Sequence, residues 1–97
     1  MPHCHEFAVF SVIKANQKRV IELSQRLFEE MNSERNILVS HNIFVKTDND
    51  EEISWQLVWL NEEAVTENAQ KWPTFPSSSE LESLVGKKLY YGYFLAI

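Results

Sequence analysis

The stretch Ile53-Ser-Trp-Gln-Leu-Val-Trp-Leu60 alternates as a β-strand does. Ile53, Trp55, Leu57 and Trp59 fall on one side and Ser54, Gln56, Val58 and Leu60 on the other. At roughly 3.3 Å per residue it spans about 26 Å. It runs without a loop into Asn61-Glu-Glu-Ala-Val65, where Asn61 reads as a helix N-cap and the two glutamates suit the positive end of the helix dipole. Both sides of the strand are largely apolar, so neither is expected to face water. That double requirement for cover constrains the whole chain.

Three other segments share it. Glu6 to Ile13 places Phe7, Val9, Ser11 and Ile13 on one side and Ala8, Phe10 and Val12 on the other. Ile37 to Lys46 places Ile37, Val39, His41, Ile43 and Val45 opposite Leu38, Ser40, Asn42, Phe44 and Lys46. Thr47-Asp-Asn-Asp50 is a turn cluster that joins this strand to the central one as a hairpin. Leu89 to Ile97 is uncharged throughout and reads as the last strand.

Helices fill the gaps. Gln17 to about Asn32 carries Val20, Leu23, Leu27, Phe28 and Met31 as one apolar stripe, with Asn16 as the N-cap. Lys18, Glu22, Arg26 and Glu30 form a solvated ladder of alternating sign on the opposite face. A second helix is expected over Glu62 to Trp72, stopped by Pro73, followed by the irregular connector Thr74 to Ser79. Ser79-Glu-Leu-Glu82 has the form of a capping box that opens a short third helix through Leu81, Leu84 and Val85, with Gly86 as its C-cap.

Strand, helix, strand, strand, helix, strand predicts a split β-α-β arrangement: an α+β, ferredoxin-like antiparallel sheet with its helices on one face. The chain of 97 residues suits one domain over 1–97. Helices on one face leave the other face of the sheet apolar and bare, beyond what a monomer usually exposes. A second copy packing sheet against sheet resolves this. The expectation is a homodimer, with the uncharged last strand in its interface.

Charge and composition exclude several partners. With 14 acidic and 9 basic residues the formal charge is −5, and no basic cluster is larger than a pair such as Lys87-Lys88. Nucleic acid and anionic membrane surfaces demand more cations than that. No apolar run approaches the ~20 residues that cross a bilayer, and Met1-Pro-His-Cys-His-Glu is no signal peptide. The single cysteine, Cys4, rules out an intrachain disulfide and suits a reducing compartment, so the location expected is the cytoplasm.

The run Val58-Trp-Leu-Asn-Glu-Glu-Ala64, followed by a short helix, a Phe-containing connector and a final strand, resembles the antibiotic-biosynthesis monooxygenase family. The resemblance implies a dimeric α+β barrel built from ferredoxin-like subunits. It also implies cofactor-independent oxygenation of small aromatic, quinol-type compounds, with no cofactor and no metal. The motif covers about Leu57 to Phe75, and its superfamily holds many other activities. Leu57 stands where many members have a glutamate, Asn68 where many have a histidine, and no asparagine lies on the first strand, which disfavours haem degradation. The alternative is a non-catalytic dimeric binding or interaction module that has lost the family's catalytic positions.

The candidate residues follow. Asn68 lies inside the apolar stripe of its helix with Ala64, Val65 and Trp72, so its amide either bonds to backbone or water, or lines a pocket where it orients an oxyanion. His41 stands on an aliphatic strand face and is either a satisfied core histidine or, beside a cavity, a general base. Trp59, which matches the family tryptophan, and Trp72 and Phe75 are candidates for binding an aromatic ligand; packing is the plainer role of the aromatics. His3 and His5 are two imidazoles on one side of an extended segment without a third ligand, and a frayed terminus is the simpler reading.

Overall fold

A computed structural model describes residues 2–97. The order is β1 (Cys4–Ser11), α1 (Lys14–Met31), β2 (Leu38–Val45), β3 (Glu52–Trp59), α2 (Glu62–Lys71), a 3₁₀ turn (Trp72–Thr74), α3 (Ser78–Leu84) and β4 (Lys88–Leu95). The strands form one sheet in the order β2-β3-β1-β4, antiparallel throughout. This is the split β-α-β arrangement that the alternation predicts. No helix among the described residues is long and apolar enough to cross a membrane.

The core lies between helices and sheet. Ala8 and Phe10 of β1 and Ile53, Trp55, Leu57 and Trp59 of β3 meet the α1 stripe of Val20, Leu23, Leu27, Phe28 and Met31, all of them buried. Trp55 is edge-on to both Phe10 and Phe28, and its Nε1 donates to Ser24 Oγ at 3.1 Å. Ser24 in turn donates to the carbonyl of Val20, so neither polar group is left unpaired in the core.

Several boundaries differ from the sequence expectation, each because a distant residue outcompetes a local signal. β1 begins at Cys4, not Glu6, since Cys4 pairs with both Trp59 and Leu95; His3-Cys4-His5 therefore runs into the sheet and is not a frayed end. Helix α1 begins at Lys14, three residues before Gln17, and Asn16 does not cap it. The Lys14 backbone N–H donates to the Glu51 carboxylate at 2.9 Å, a cap supplied from the β2–β3 turn. The capping box at Ser79 does not form. Ser77 precedes α3, and its N–H and hydroxyl donate to Glu30 of α1 at 3.0 and 2.6 Å. Glu30 is thus no free member of a solvated ladder. Together with the Arg19–Glu80 pair, held by two contacts of 2.7 Å, it fastens α3 to α1.

Gly86 is likewise no left-handed C-cap, because no described glycine has positive φ. Its role is close approach. Its N–H donates to the Ser11 carbonyl at 2.8 Å, and a Cβ there would lie 2.5 Å from Ser11 Oγ and 3.2 Å from Ser11 O. Ser11 Oγ is not free to swing away, since it accepts from Lys87 N–H at 2.7 Å.

The far face of the sheet carries Phe7 and Val9 of β1, Val58 of β3, Phe44 of β2, and Tyr90 and Phe94 of β4, with no helix over it. Phe44, Tyr90 and Phe94 are 47%, 50% and 46% exposed. Ser54 and Gln56 of β3 and Ser40 and Asn42 of β2 share this face, so it is apolar chiefly over β1 and β4 and less uniformly than the sequence led one to expect.

Gly86→Ala is expected to cost about 1–3 kcal/mol in urea denaturation, through overpacking at the α3–β4 junction. Adding Ser11→Ala should recover only part of that, because the Ser11 carbonyl still crowds the new methyl.

Candidate functional site

Between the sheet and the α2–α3 layer lies a cavity of about 440 Å³. Its floor is the helix-facing side of β1, β3 and β4; its walls come from α2, the 3₁₀ turn and α3. Trp55, Trp59, Trp72, Tyr91 and Tyr93 give it a largely aromatic lining. A volume of this order holds a small organic ligand.

Two buried polar side chains enter this apolar space. Glu6, only 4% exposed, shares the helix-facing side of β1 with Ala8 and Phe10. Its Oε1 accepts from Trp59 Nε1 at 2.9 Å. Burial raises the Glu6 pKa above the ordinary glutamate value. The Trp59 bond, the Tyr91 hydroxyl, the Lys88 charge and the Tyr93 hydroxyl pull the other way without cancelling it. Tyr91 and Tyr93 are hydrogen-bonded to each other through their hydroxyls, and both phenols are pushed up, chiefly by burial. They therefore stay protonated at neutral pH.

Asn68 is the second group. Asn61 Oδ1 accepts from the Ala64 N–H at 2.8 Å, as the sequence predicts, and so fixes the start and phase of α2. That phase turns Asn68 inward with Ala64. Asn68 is 6% exposed, and its Oδ1 is buried without a partner among the described residues. An orphaned buried acceptor costs about 1–3 kcal/mol. The backbone bond that would have accounted for this amide is not made.

The structure brings Trp59, Asn68 and Trp72 together around the cavity, and leaves His41 and Phe75 out. Trp59 is 2% exposed. Trp72 is half-buried and donates through Nε1 to Glu82, another lining residue. Phe75 packs against the core outside the cavity. His41 is not a core histidine. It is exposed on the edge strand β2, facing α1, with its ring 4.8 Å from that of Phe28. Cys4 is buried, and burial, then Glu62 and Glu6, push its thiol up, which makes it a poor nucleophile. Among the described residues no three His, Cys, Asp or Glu side chains gather as metal ligands.

Glu6 is a polar cavity residue that the sequence did not single out, and Tyr91 and Tyr93 counted only as part of the chain's aromatic load. A signal existed for Glu6: it has the parity of Ala8, Phe10 and Val12, so a regular strand carries it to the apolar side. It lies directly across the ladder from Leu57, the position where the resemblance leads one to look for a glutamate. A carboxylate is present at that level of the sheet, one strand over.

No protein-family model matches this sequence, and no curated protein matches it with significance. Solved structures do match. SnoaB, a cofactor-independent oxygenase from Streptomyces nogalater, superposes with a TM-score of 0.81 at 18% identity, over 100% of this chain and 95% of its own. A conserved protein of unknown function from Bacteroides thetaiotaomicron, described as a possible oxidoreductase, gives 0.79 at 12% identity, over 98% of each chain. A candidate antibiotic biosynthesis monooxygenase from Chloroflexus aurantiacus gives 0.72 at 11% identity, over 98% of this chain and 93% of its own. This chain has their fold. At such identities the likeness extends to architecture, and activity has to be argued from the site.

The raised pKa of Glu6 links the site to stability. The folded state favours the protonated acid, so this contribution is complete below the ordinary value of 4.5 and is lost as pH rises through the folded pKa. Wild-type unfolding free energy should therefore decline across that window. Glu6→Gln should lack the decline and gain on the wild type toward neutral pH, as followed by urea denaturation at several pH values.

Proposed function

We propose that this protein is a homodimer that binds a small, largely apolar aromatic molecule in the cavity beneath α2 and α3, and that it oxygenates a quinol-type compound without a cofactor. The observation that carries the reading is the cavity itself. It is an aromatic-walled space into which the buried Asn68 and Glu6 project, where a purely structural core would be filled. The fold shared with SnoaB, a cofactor-independent oxygenase, supports the choice of chemistry.

The reaction needs little from the protein. Loss of a proton from an electron-rich quinol leaves an anion that gives one electron to dioxygen; recombination forms a C–O bond, and the resulting hydroperoxide loses water to leave a carbonyl. One oxygen atom enters the product and the other leaves in water. Trp59 and Trp72 would flank the ring plane, and Asn68 would orient the substrate oxygen and stabilise its negative charge as it develops. Trp59 is well suited to a wall, because its bond to Glu6 fixes the indole.

The open sheet face supports the dimer. Phe7, Val9 and Phe94 form an apolar strip across β1 and the neighbouring edge strand β4, with Phe7 and Phe94 edge-to-face at 5.5 Å. A second copy laid on this strip would remove it from water.

A ligand at 100 times its dissociation constant should add about 2.7 kcal/mol of apparent stability, readily seen as a thermal shift with quinones and flavonoid-like phenols. The shift should be lost in Asn68→Ala, and oxygen consumption should accompany binding of the quinols. No shift with any aromatic, together with a free Asn68→Ala protein more stable than the wild type, would move the reading to a non-catalytic module. Val9→Glu, which places a charge on the open face, should convert a sedimenting dimer to monomer while far-ultraviolet circular dichroism is retained.

A further inference from the structure

Among the described residues, Glu6 is the one carboxylate that is both buried and part of the cavity lining. Glu82, which also lines the cavity, is exposed and occupied by Trp72. A charge sunk in apolar surroundings is normally neutralised by a cation, and among the described residues Glu6 has no ion-pair partner. One neighbour is a hydrogen-bond donor, Trp59 Nε1, which holds Oε1, and the Tyr91 and Tyr93 hydroxyls, bonded to each other, favour its charged form from nearby. Lys88 acts on it through charge alone, and the Cys4 thiol nearby stays protonated. These groups support a carboxylate without locking it in a salt bridge, so it remains able to take up a proton.

We infer that Glu6 is the proton acceptor of this cavity, and that the molecule it serves is an aromatic carrying an ionisable hydroxyl. The step balances simply. The ligand O–H bond breaks, its proton moves to a Glu6 oxygen, and the electron pair stays on the ligand oxygen. The cavity holds one negative charge before and after, now on the phenolate, so no new charge has to be desolvated. The higher proton affinity that burial gives Glu6 brings the acid closer to a phenol and makes the transfer less uphill.

This inference rests on the cavity being the ligand site, and the test separates the two. The probes are 4-nitrophenol and 7-hydroxycoumarin, whose ionised forms absorb at longer wavelength than the neutral ones. Binding is followed by quenching of tryptophan fluorescence, at a pH where each free probe is mostly neutral. Glu6→Gln keeps an oxygen for Trp59 and nearly the same volume, but cannot take the proton. The wild type should bind the probe with its hydroxyl ionised, and in Glu6→Gln the ionised-to-neutral ratio of bound probe should fall by about tenfold or more. A second measurement uses the wild type alone. Because the proton stays on Glu6, binding heats in two buffers of different ionisation enthalpy should agree. Probe bound but neutral in the wild type, or equally ionised in both proteins, or bound with proton release to buffer, would overturn the role of Glu6 and leave the ligand site standing. Failure of both probes to quench wild-type fluorescence would overturn the site, and this inference with it.

Discussion

The antiparallel ladder between β1 and β3 sets the position of nearly everything else. Its register places Cys4 opposite Trp59, Glu6 opposite Leu57 and Ala8 opposite Trp55, all with side chains toward the helices. Glu6 and Trp59 are then diagonal neighbours on one face, the relation that lets a carboxyl meet an indole N–H. A slip of one residue would send Glu6 to the open face and Phe7 into the core. The bond at 2.9 Å between them therefore reports the register as well as the site.

Around that ladder, two connections convert a packed sheet into one with a cavity. Asn61 fixes the phase of α2 from its first turn, and this decides that Asn68 points inward. Glu30 and Arg19 then draw α3 against α1, leaving space between α3, the 3₁₀ turn and β4. The Arg19–Glu80 pair lies on the periphery, where its charges stay hydrated, while the Glu30 contact reaches the buried Ser77. The interior is left with aromatic walls and a few polar atoms that have no structural duty. Stability has been given up there, since an orphaned amide oxygen and a desolvated carboxyl each disfavour folding.

Much of the fold was legible because it follows from periodicity. The α1 stripe, the helix-facing side of β3, the Asn61 cap and the strand order all rest on local patterns that tertiary packing reinforced. Local signals failed where a long-range partner was stronger. Asn16 lost its cap to Glu51, Ser79 its capping box to the Glu30 contact with Ser77, and Gly86 its C-cap role to the approach of Ser11. Of the candidate residues named from the helix phase and the family resemblance, Trp59, Asn68 and Trp72 line the cavity. Phe75 and His41 lie outside it, because sequence spacing shows which way a side chain points but not where a cavity ends.

The sequence alone determined the main elements, the side that residues of β1, β3 and α1 take within them, and the surplus of apolar surface that the helices leave uncovered. These are consequences of side-chain periodicity and need no knowledge of neighbours; the bulge that turns Leu38 to the helix-facing side of β2 was not among them. Only the tertiary structure decided that Glu6 of β1, Asn68 of α2, and Tyr91 and Tyr93 of β4 share one cavity. They lie far apart along the chain, and strand register together with helix phase is what brings them within reach of one ligand.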